Sequence, residues 1–245
     1  MKSLLAALRF LTIIPFPALI RTEERDLTRS VWFFPIVGLL IGAIVGALDY
    51  GLLHLFPSLV AGVLIVVALL IISGGLHLDG LADTADGFFS SRPRERILEI
   101  MKDSRSGPMA VAAVVCVLSL KIAALASIIH EQRWAIILLM ALAGRCALVI
   151  HLALLPYAKA EGGLGMVFKQ SSSWQQALWA LAVLGVTGWL TCAWAGLIAS
   201  GSVTLVTLLF SAWCYRKIGG LTGDTLGAVC ELTEIVPALV MTAWA

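Results

Sequence analysis

The chain has 245 residues, of which 60% are hydrophobic and only 13% charged, with a formal net charge of +2. This composition excludes an ordinary soluble domain, because so much apolar surface is typical of proteins that are embedded in a membrane. The five cysteines are scattered through apolar segments without paired spacing, so we interpret them as small buried residues. We therefore expect an all-α fold, a polytopic integral membrane helical bundle that forms a single membrane-embedded domain over residues 1–245.

The first apolar segment, residues 4–20, is short and is interrupted by Arg9, Pro15 and Pro17. These interruptions, and the lack of a clear small-residue cleavage site, do not favour a cleavable signal peptide. We expect an N-terminal amphipathic or re-entrant helix, and an eighth crossing remains the alternative.

Seven further segments are long and apolar enough to cross a membrane. They cover residues 31–54, 59–77, 108–129, 134–155, 177–199, 202–219 and 225–244. We expect about seven transmembrane helices.

Lysines and arginines gather in every second connection between these segments. The clustered cations are Arg21, Arg25, Arg29, Arg92, Arg94, Arg96, Lys102, Arg105, Lys159, Lys169, Arg216 and Lys217. Alternating crossings place all of them on one side and leave Arg133 on the other, and the positive-inside rule makes the first side the cytoplasm. Asp49, near the outer end of the first span, is expected to reach the membrane interface. We expect the polar loops and the site that they form to face the cytoplasm.

Three aspartates, Asp79, Asp83 and Asp86, follow the second span directly. If that span continues as a helix, spacings of four and three place the carboxylates on one face, where they repel one another. A divalent cation would turn this repulsion into binding, because Mg²⁺ takes oxygen ligands from carboxylates and substrate phosphates. Capping aspartates at a solvated helix end are the alternative. His77 lies about 160° from Asp79 on a regular helix, so it is either a packed or a catalytic histidine.

A second polar element covers residues 102–108 and ends at Pro108, before the third span. Pro108 suits the first turn of a helix, and Ser106 is a candidate N-cap. Lys102 and Arg105 could bind phosphate, with Asp103 beside them. For Arg92, Arg94 and Arg96, we favour the ordinary charge of a cytoplasmic loop.

A glycine-rich turn at residues 219–227 could present backbone N–H groups to an anion at a helix N-terminus. Asp224, Glu231 and Glu234 then fall within about 80° of one helix face. Glu231 and Glu234 lie inside an apolar segment, where a carboxylate needs a cavity, a partner or an ion. For Asp224, an N-cap role is the alternative.

Two cations, Lys121 and Arg145, lie within predicted spans. Intramembrane charges are usually paired or functional, so each could neutralise an acid or contact a phosphate. Together with the acidic elements they favour metal-assisted chemistry on a phosphorylated substrate.

Four segments resemble the cobalamin synthase family, also called the adenosylcobinamide-GDP ribazoletransferases. They are Arg9–Thr12 with Pro15 and Pro17, His77–Gly87, Met101–Gly107 and Gly219–Ala228. The resemblance covers essentially the whole chain. It implies an integral inner-membrane, magnesium-dependent phosphotransferase of vitamin B12 biosynthesis. Such an enzyme transfers the adenosylcobinamide-phosphate group from adenosylcobinamide-GDP to α-ribazole or α-ribazole 5′-phosphate and releases GMP.

On this basis we assign roles to residues as hypotheses. The catalytic candidates are Asp83, Asp86 and His77; the substrate-binding candidates are Lys102, Asp103, Arg105, Arg145, Thr222 and Gly223; the metal candidates are Asp79, Asp83, Asp86, Asp224, Glu231 and Glu234. The cofactor is expected to be Mg²⁺, and the partners the two small-molecule substrates and the lipid bilayer, with no nucleic acid. A homo-oligomer or an association with other cobalamin-assembly enzymes is also expected.

The rival interpretation is a cation- or proton-coupled transporter, because Glu231, Glu234, Lys121 and Arg145 are intramembrane charges. A transporter is expected to place its charges near the midplane, often in repeated halves. Most of the polar residues of this chain instead fall at one face, which favours an enzyme.

Overall fold

The computed structural model describes residues 2–15, 23–158, 164–170 and 172–244. These residues are almost all helical, without a β-strand among them, which confirms the all-α class. The helices are α1 (Lys2–Leu11), α2 (Glu24–Ser30), α3 (Phe34–Leu53), α4 (Ser58–Ser73), α5 (Leu76–Phe88), α6 (Arg94–Ile100), α7 (Pro108–Ser127), α8 (His130–Leu154), α9 (Leu164–Gln170), α10 (Trp174–Ile218), α11 (Gly223–Glu234) and α12 (Val236–Trp244).

Five helical segments in the described ranges are long and apolar enough to cross a membrane, or six if the bent pair α4 and α5 counts as one span. The protein is therefore a membrane protein, while the expected number of seven crossings is not confirmed. Helix α1 has ten residues, about 15 Å, which is too short to cross a bilayer. Residues 16–20 of the predicted segment 4–20, which include Pro17, lie outside the described residues. Arg21 and Lys159 also lie outside them.

Helix α10 differs from the expected pair of spans at 177–199 and 202–219. Its backbone leaves helical geometry at Cys192 and Ala193, where Ala193 has φ 46°. The Ser200 hydroxyl donates to the Leu184 carbonyl oxygen at 3.2 Å. In a continuous helix these residues would be about 24 Å apart, so the chain reverses its direction at the break. The boundary lies several residues earlier than we predicted, because the apolar pattern continues through the break.

Helix α8 forms the centre of the bundle and is buried along almost its entire length. Helices α3, α10, α11 and α12 pack against it. Among the cysteines, Cys146, Cys214 and Cys230 are buried as expected, but Cys192 is only partly buried and Cys116 is exposed; all five are free thiols.

Asp49 does not reach the interface as we predicted. It is 1% exposed, and its carboxylate accepts two hydrogen bonds from the Arg133 guanidinium, at 2.6 and 3.0 Å. Arg133 also donates to the Ser58 hydroxyl at 2.7 Å and to the Leu125 carbonyl at 2.8 Å. The acid stays inside because a cation from α8 satisfies it there, and this pair joins α3, α4, α7 and α8.

We predict that Arg133→Met lowers the free energy of unfolding by about 3–5 kcal/mol, because it leaves Asp49 as an unpaired buried carboxylate. Thermal unfolding in detergent, followed by circular dichroism, measures this change. An unchanged midpoint would contradict the assignment of Asp49 and Arg133 as a buried pair.

Candidate active site

The aspartate-bearing helix does not continue the second span, which corrects our prediction. Helix α4 ends at Ser73, and the chain bends by 92° before α5 begins. Gly74 and Gly75 form this bend with φ of 62° and 72°, a conformation that costs glycine little. Asp79, Asp83 and Asp86 still share one face of α5, with Asp79 exposed and the other two partly buried.

Asp86 connects α5 to the start of α7. Its carboxylate accepts hydrogen bonds from the backbone N–H groups of Gly107, at 2.5 Å, and Ala110, at 2.8 Å. Gly107 is the N-cap residue and Pro108 opens the helix as predicted, but Ser106 is not the cap. Asp86 of α5 thus acts as the side-chain cap of α7. Its carboxylate accepts hydrogen bonds from the first N–H groups of α7 and lies at the positive end of the helix dipole.

The loop at residues 102–107 therefore lies beside the acidic end of α5. Lys102 and Arg105 are exposed there, and the Arg105 guanidinium donates to both oxygens of Asp103, at 3.1 and 2.7 Å. Hydrogen bonding from Arg105 lowers the pKa of the Asp103 carboxyl to about 2. This loop therefore places two exposed cationic side chains beside the acidic end of α5.

We predict that Arg105→Gln returns the pKa of Asp103 from about 2 towards its usual 3.8. Because the carboxyl pKa is lower in the folded state, the pair stabilises the fold above pH 3.8. This stabilisation is lost as the pH falls through about 2. An NMR titration of the Asp103 carboxyl carbon measures the shift, and an unchanged titration midpoint would contradict the pairing.

The glycine-rich turn leads into α11. Leu221 pairs with the 156–158 segment, through its N–H to the Pro156 carbonyl at 2.9 Å and its carbonyl to the Ala158 N–H at 2.8 Å. Thr222 is the N-cap, and its hydroxyl oxygen accepts the Thr225 N–H at 3.2 Å. Asp224 is therefore not the cap. Substrate contact by Thr222 and Gly223 stays a prediction, with the Thr222 side chain buried and the Gly223 residue exposed.

Helices α5 and α11 cross in close contact. A Cβ added to Gly80 would lie 2.6 Å from the Asp224 carbonyl oxygen and 3.1 Å from the Gly227 Cα. A Cβ added to Gly227 would lie 2.8 Å from the His77 carbonyl oxygen. Small residues let two helix backbones approach in this way. The contact brings Asp224 to the helix of the aspartate triplet.

The other predicted residues lie deeper in the bundle. Lys121, Arg145, Glu231 and Glu234 are buried and paired with one another. The sequence allowed Arg145 either to neutralise an acid or to contact a phosphate. In the structure it pairs with Glu234, and a phosphate contact stays a prediction. His77 is also buried, with its Nδ1 3.5 Å from the Cys230 Sγ, as in the packed alternative. Its catalytic role stays a prediction.

Comparison with known proteins identifies relatives of the whole chain. The model of the family described as cobalamin-5-phosphate synthase matches residues 3–242. The chain belongs to this family. No solved structure matches it.

Curated relatives of this family carry the name adenosylcobinamide-GDP ribazoletransferase. The protein of Desulforamulus reducens is 42% identical over 95% of this chain and 93% of its own length. Those of Geotalea daltonii and Roseiflexus sp. are 40% and 43% identical, over 97% and 96% of this chain and 95% and 87% of their own lengths. The resemblance of the chain to this family is confirmed, and nothing in these comparisons favours a transporter.

The magnesium that we expect for a cobalamin synthase fits part of the predicted donor set. Asp79 and Asp83 lie one turn apart on α5 and supply hard oxygen donors. In the described part of the chain, no three His, Cys, Asp or Glu side chains converge as a metal cage. Two carboxylates completed by substrate phosphates are the usual mode for Mg²⁺. The carboxylates of Glu231 and Glu234 are instead turned to cations, so their metal role stays a prediction without support from this geometry.

Three residues near the site were missed or undervalued from the sequence. Tyr157 is half-buried, and burial, together with the Asp224 charge, raises the pKa of its phenol. Arg94, interpreted as loop charge, donates to the Ile218 carbonyl and the Ala158 carbonyl at 2.8 Å each. Lys217 donates to the Phe88 carbonyl at 2.8 Å, at the end of α5. A lone tyrosine or a loop cation gives no periodic signal, so sequence reasoning had no means to select them.

Proposed function

We propose that this chain transfers the adenosylcobinamide-phosphate group from adenosylcobinamide-GDP to α-ribazole, or to α-ribazole 5′-phosphate, with release of GMP. It would do so in the bacterial inner membrane, with its site at the cytoplasmic face. Full-length similarity at 40–43% identity to three proteins of that name supports the activity. The orientation rests on the distribution of lysine and arginine. A homo-oligomer, or association with other cobalamin-assembly enzymes, stays a prediction.

The observation that carries this proposal is the meeting of three motifs on separate helices. The Asp86 carboxylate binds the backbone at the start of α7, so the 102–107 loop lies next to α5. Gly80 and Gly227 bring the start of α11 to the same helix. Carboxylates, exposed cations and a glycine-rich helix start thus share one end of the bundle. This set suits the cleavage of a pyrophosphate bond.

In the proposed reaction, a hydroxyl oxygen of α-ribazole attacks the phosphorus atom on the cobinamide side of the pyrophosphate. A new P–O bond forms, the P–O bond to the GMP phosphate breaks, and GMP leaves. Asp83 accepts the hydroxyl proton. Asp86 is assigned a structural role instead, because both of its oxygens accept backbone hydrogen bonds at the start of α7.

Lys102 and Arg105 are placed to balance the charge of the phosphates. Arg105 is held by Asp103, and its guanidinium is largely exposed, so it can turn to a bound phosphate oxygen. Asp79 and Asp83 would hold Mg²⁺, which neutralises negative charge on the pyrophosphate and on the leaving group. Asp224 and the Gly223 backbone, at the start of α11, would orient the incoming hydroxyl.

The direct test uses the purified protein in lipid nanodiscs with adenosylcobinamide-GDP and α-ribazole. We expect GMP and the joined corrinoid to appear in equal amounts on chromatography. Absence of both products from a folded preparation would overturn the proposal. Uptake of cations by proteoliposomes, without GMP release, would instead favour the transporter.

Magnesium removal gives a separate prediction. Excess EDTA should lower GMP release by at least about a hundredfold, because the developing charge loses its metal counter-ion. Added Mg²⁺ should restore the rate, and the midpoint of thermal unfolding should stay unchanged. Full activity in EDTA would contradict the magnesium site at Asp79 and Asp83.

A further inference from the structure

A buried cluster of four charged side chains lies beneath the candidate active site. Lys121 of α7 donates to the carboxylates of Glu231, at 2.6 Å, and Glu234, at 2.7 Å, both on α11. Arg145 of α8 donates to the other oxygen of Glu234. All four side chains are at most 3% exposed, and their two positive and two negative charges balance. The cluster therefore joins three helices without leaving a net charge inside the bundle.

Stability alone does not explain such a cluster. Taking charges out of water is costly, and replacing a buried ion pair with apolar residues is often neutral or stabilising. A buried ion pair instead fixes the orientation of the helices that carry it, because its directional hydrogen bonds form at only one rotation and one depth of each helix. Apolar side chains on α7, α8 and α11 could pack in several ways that differ little in energy.

The cluster acts on the helix that brings Asp224 to the site. Glu231 lies seven residues after Asp224, about 10 Å along α11. Lys121 lies about 16 Å along α7 from Ala110, whose N–H binds Asp86. Helix α7 is thus fixed to α5 at its start and to α11 further along. Together with the Gly80–Gly227 contact, these links close a triangle of α5, α7 and α11.

We propose that Lys121, Arg145, Glu231 and Glu234 are positioning residues that set the rotation and depth of α11, and so hold Asp224 and the glycine-rich turn opposite the carboxylates of α5. This inference rests on the proposed function for its kinetic consequence. It gives Glu231 and Glu234 a role other than the predicted metal ligation, because each carboxylate already accepts a hydrogen bond from a cation of the chain.

The kinetic test removes one charge of each sign. The double variant Lys121→Leu/Glu231→Leu leaves the Arg145–Glu234 pair intact. We expect kcat to fall about 10–100-fold, as for other residues that orient catalytic groups, and KM for adenosylcobinamide-GDP to change less than about twofold. The matched control is Arg133→Leu/Asp49→Leu, which removes a buried pair between α3 and α8 with no residue on α5 or α11, and which should keep the wild-type kcat.

Two outcomes would overturn the proposal: wild-type kcat in the cluster variant, or an equal loss in the control. Magnesium dependence separates positioning from ligation, since positioning leaves the Mg²⁺ concentration for half-maximal activity unchanged. A large rise in that concentration would assign Glu231 to the metal. If the double variant does not fold, Glu231→Gln replaces it: the amide oxygen still accepts from Lys121, so positioning predicts a near-wild-type kcat and an unchanged Mg²⁺ requirement, and a raised Mg²⁺ requirement would overturn the proposal.

A distance measurement does not depend on activity. Nitroxide labels at Phe89→Cys and Leu239→Cys, both exposed, report the separation of α5 from the α11–α12 segment, with Cys116 and Cys192 changed to alanine. We expect the cluster variant to broaden or shift the distance distribution, and the Arg133–Asp49 control to leave it unchanged. An unaltered distribution in the cluster variant would overturn the positioning role, whether or not the wild type releases GMP. Absence of GMP release from the wild type would overturn only the proposed function.

Discussion

Asp83→Asn is expected to lower the rate of GMP release by about 10²–10⁴-fold while the helical bundle still folds. The amide keeps the size of the side chain, but it can neither accept the hydroxyl proton nor bind Mg²⁺ as a carboxylate does. Asparagine fills nearly the same volume as aspartate, and Asp83 is only partly buried on α5. The substitution should therefore lower the free energy of unfolding by no more than about 1 kcal/mol.

The measurement compares kcat/KM for adenosylcobinamide-GDP with the midpoint of thermal unfolding for the same preparation. Glu95→Gln is the matched control, because Glu95 is an exposed acid in the first turn of α6 and belongs to none of the three motifs of the site. The control should keep the wild-type rate. Near-wild-type turnover of Asp83→Asn would falsify the assignment of Asp83 as base and metal ligand.

Composition and apolar length predicted the fold class, because a helix that crosses the lipid needs about 20 consecutive, mostly apolar residues. They did not predict where α4 stops. Gly74 and Gly75 adopt positive φ, and a hydropathy pattern carries no information on that backbone state. The same limit misplaced the reversal that we expected between residues 199 and 202, because the structure has it at Cys192 and Ala193, and neither residue is a turn former.

The sequence indicated which polar residues to consider for the candidate site, but it did not indicate their partners. A carboxylate inside a span signals that it has a partner, yet one sequence does not say whether that partner is a metal or a lysine on another helix. Glu231 and Asp49 are two examples, since Lys121 is 110 residues from the first and Arg133 is 84 residues from the second. Such pairs become visible only when the helices are assembled.

Gly80→Ala is expected to lower transfer about 10–100-fold, although it adds a single methyl group. The new Cβ would lie 2.6 Å from the Asp224 carbonyl oxygen, and backbone atoms cannot move aside without moving the helix. Helices α5 and α11 must then separate, and a displacement of about 1 Å between catalytic groups costs up to a hundredfold in rate. Because the binding groups on the 102–107 loop are not displaced, most of the loss should be in kcat.

Gly201→Ala is the matched control, because Gly201 also lies within a helix but a Cβ there meets nothing within 4 Å. At that position alanine should raise helix stability by about 0.5–1 kcal/mol and leave the rate unchanged. Both variants gain the same methyl group, so a difference between them reports the α5–α11 contact alone. If the two variants showed equal kcat, close approach of these helices would not be needed for transfer, and Asp224 would lose its place in the site. If Gly80→Ala loses activity as expected, the aspartate triplet and the glycine-rich turn work as one site only at the separation that two glycines allow.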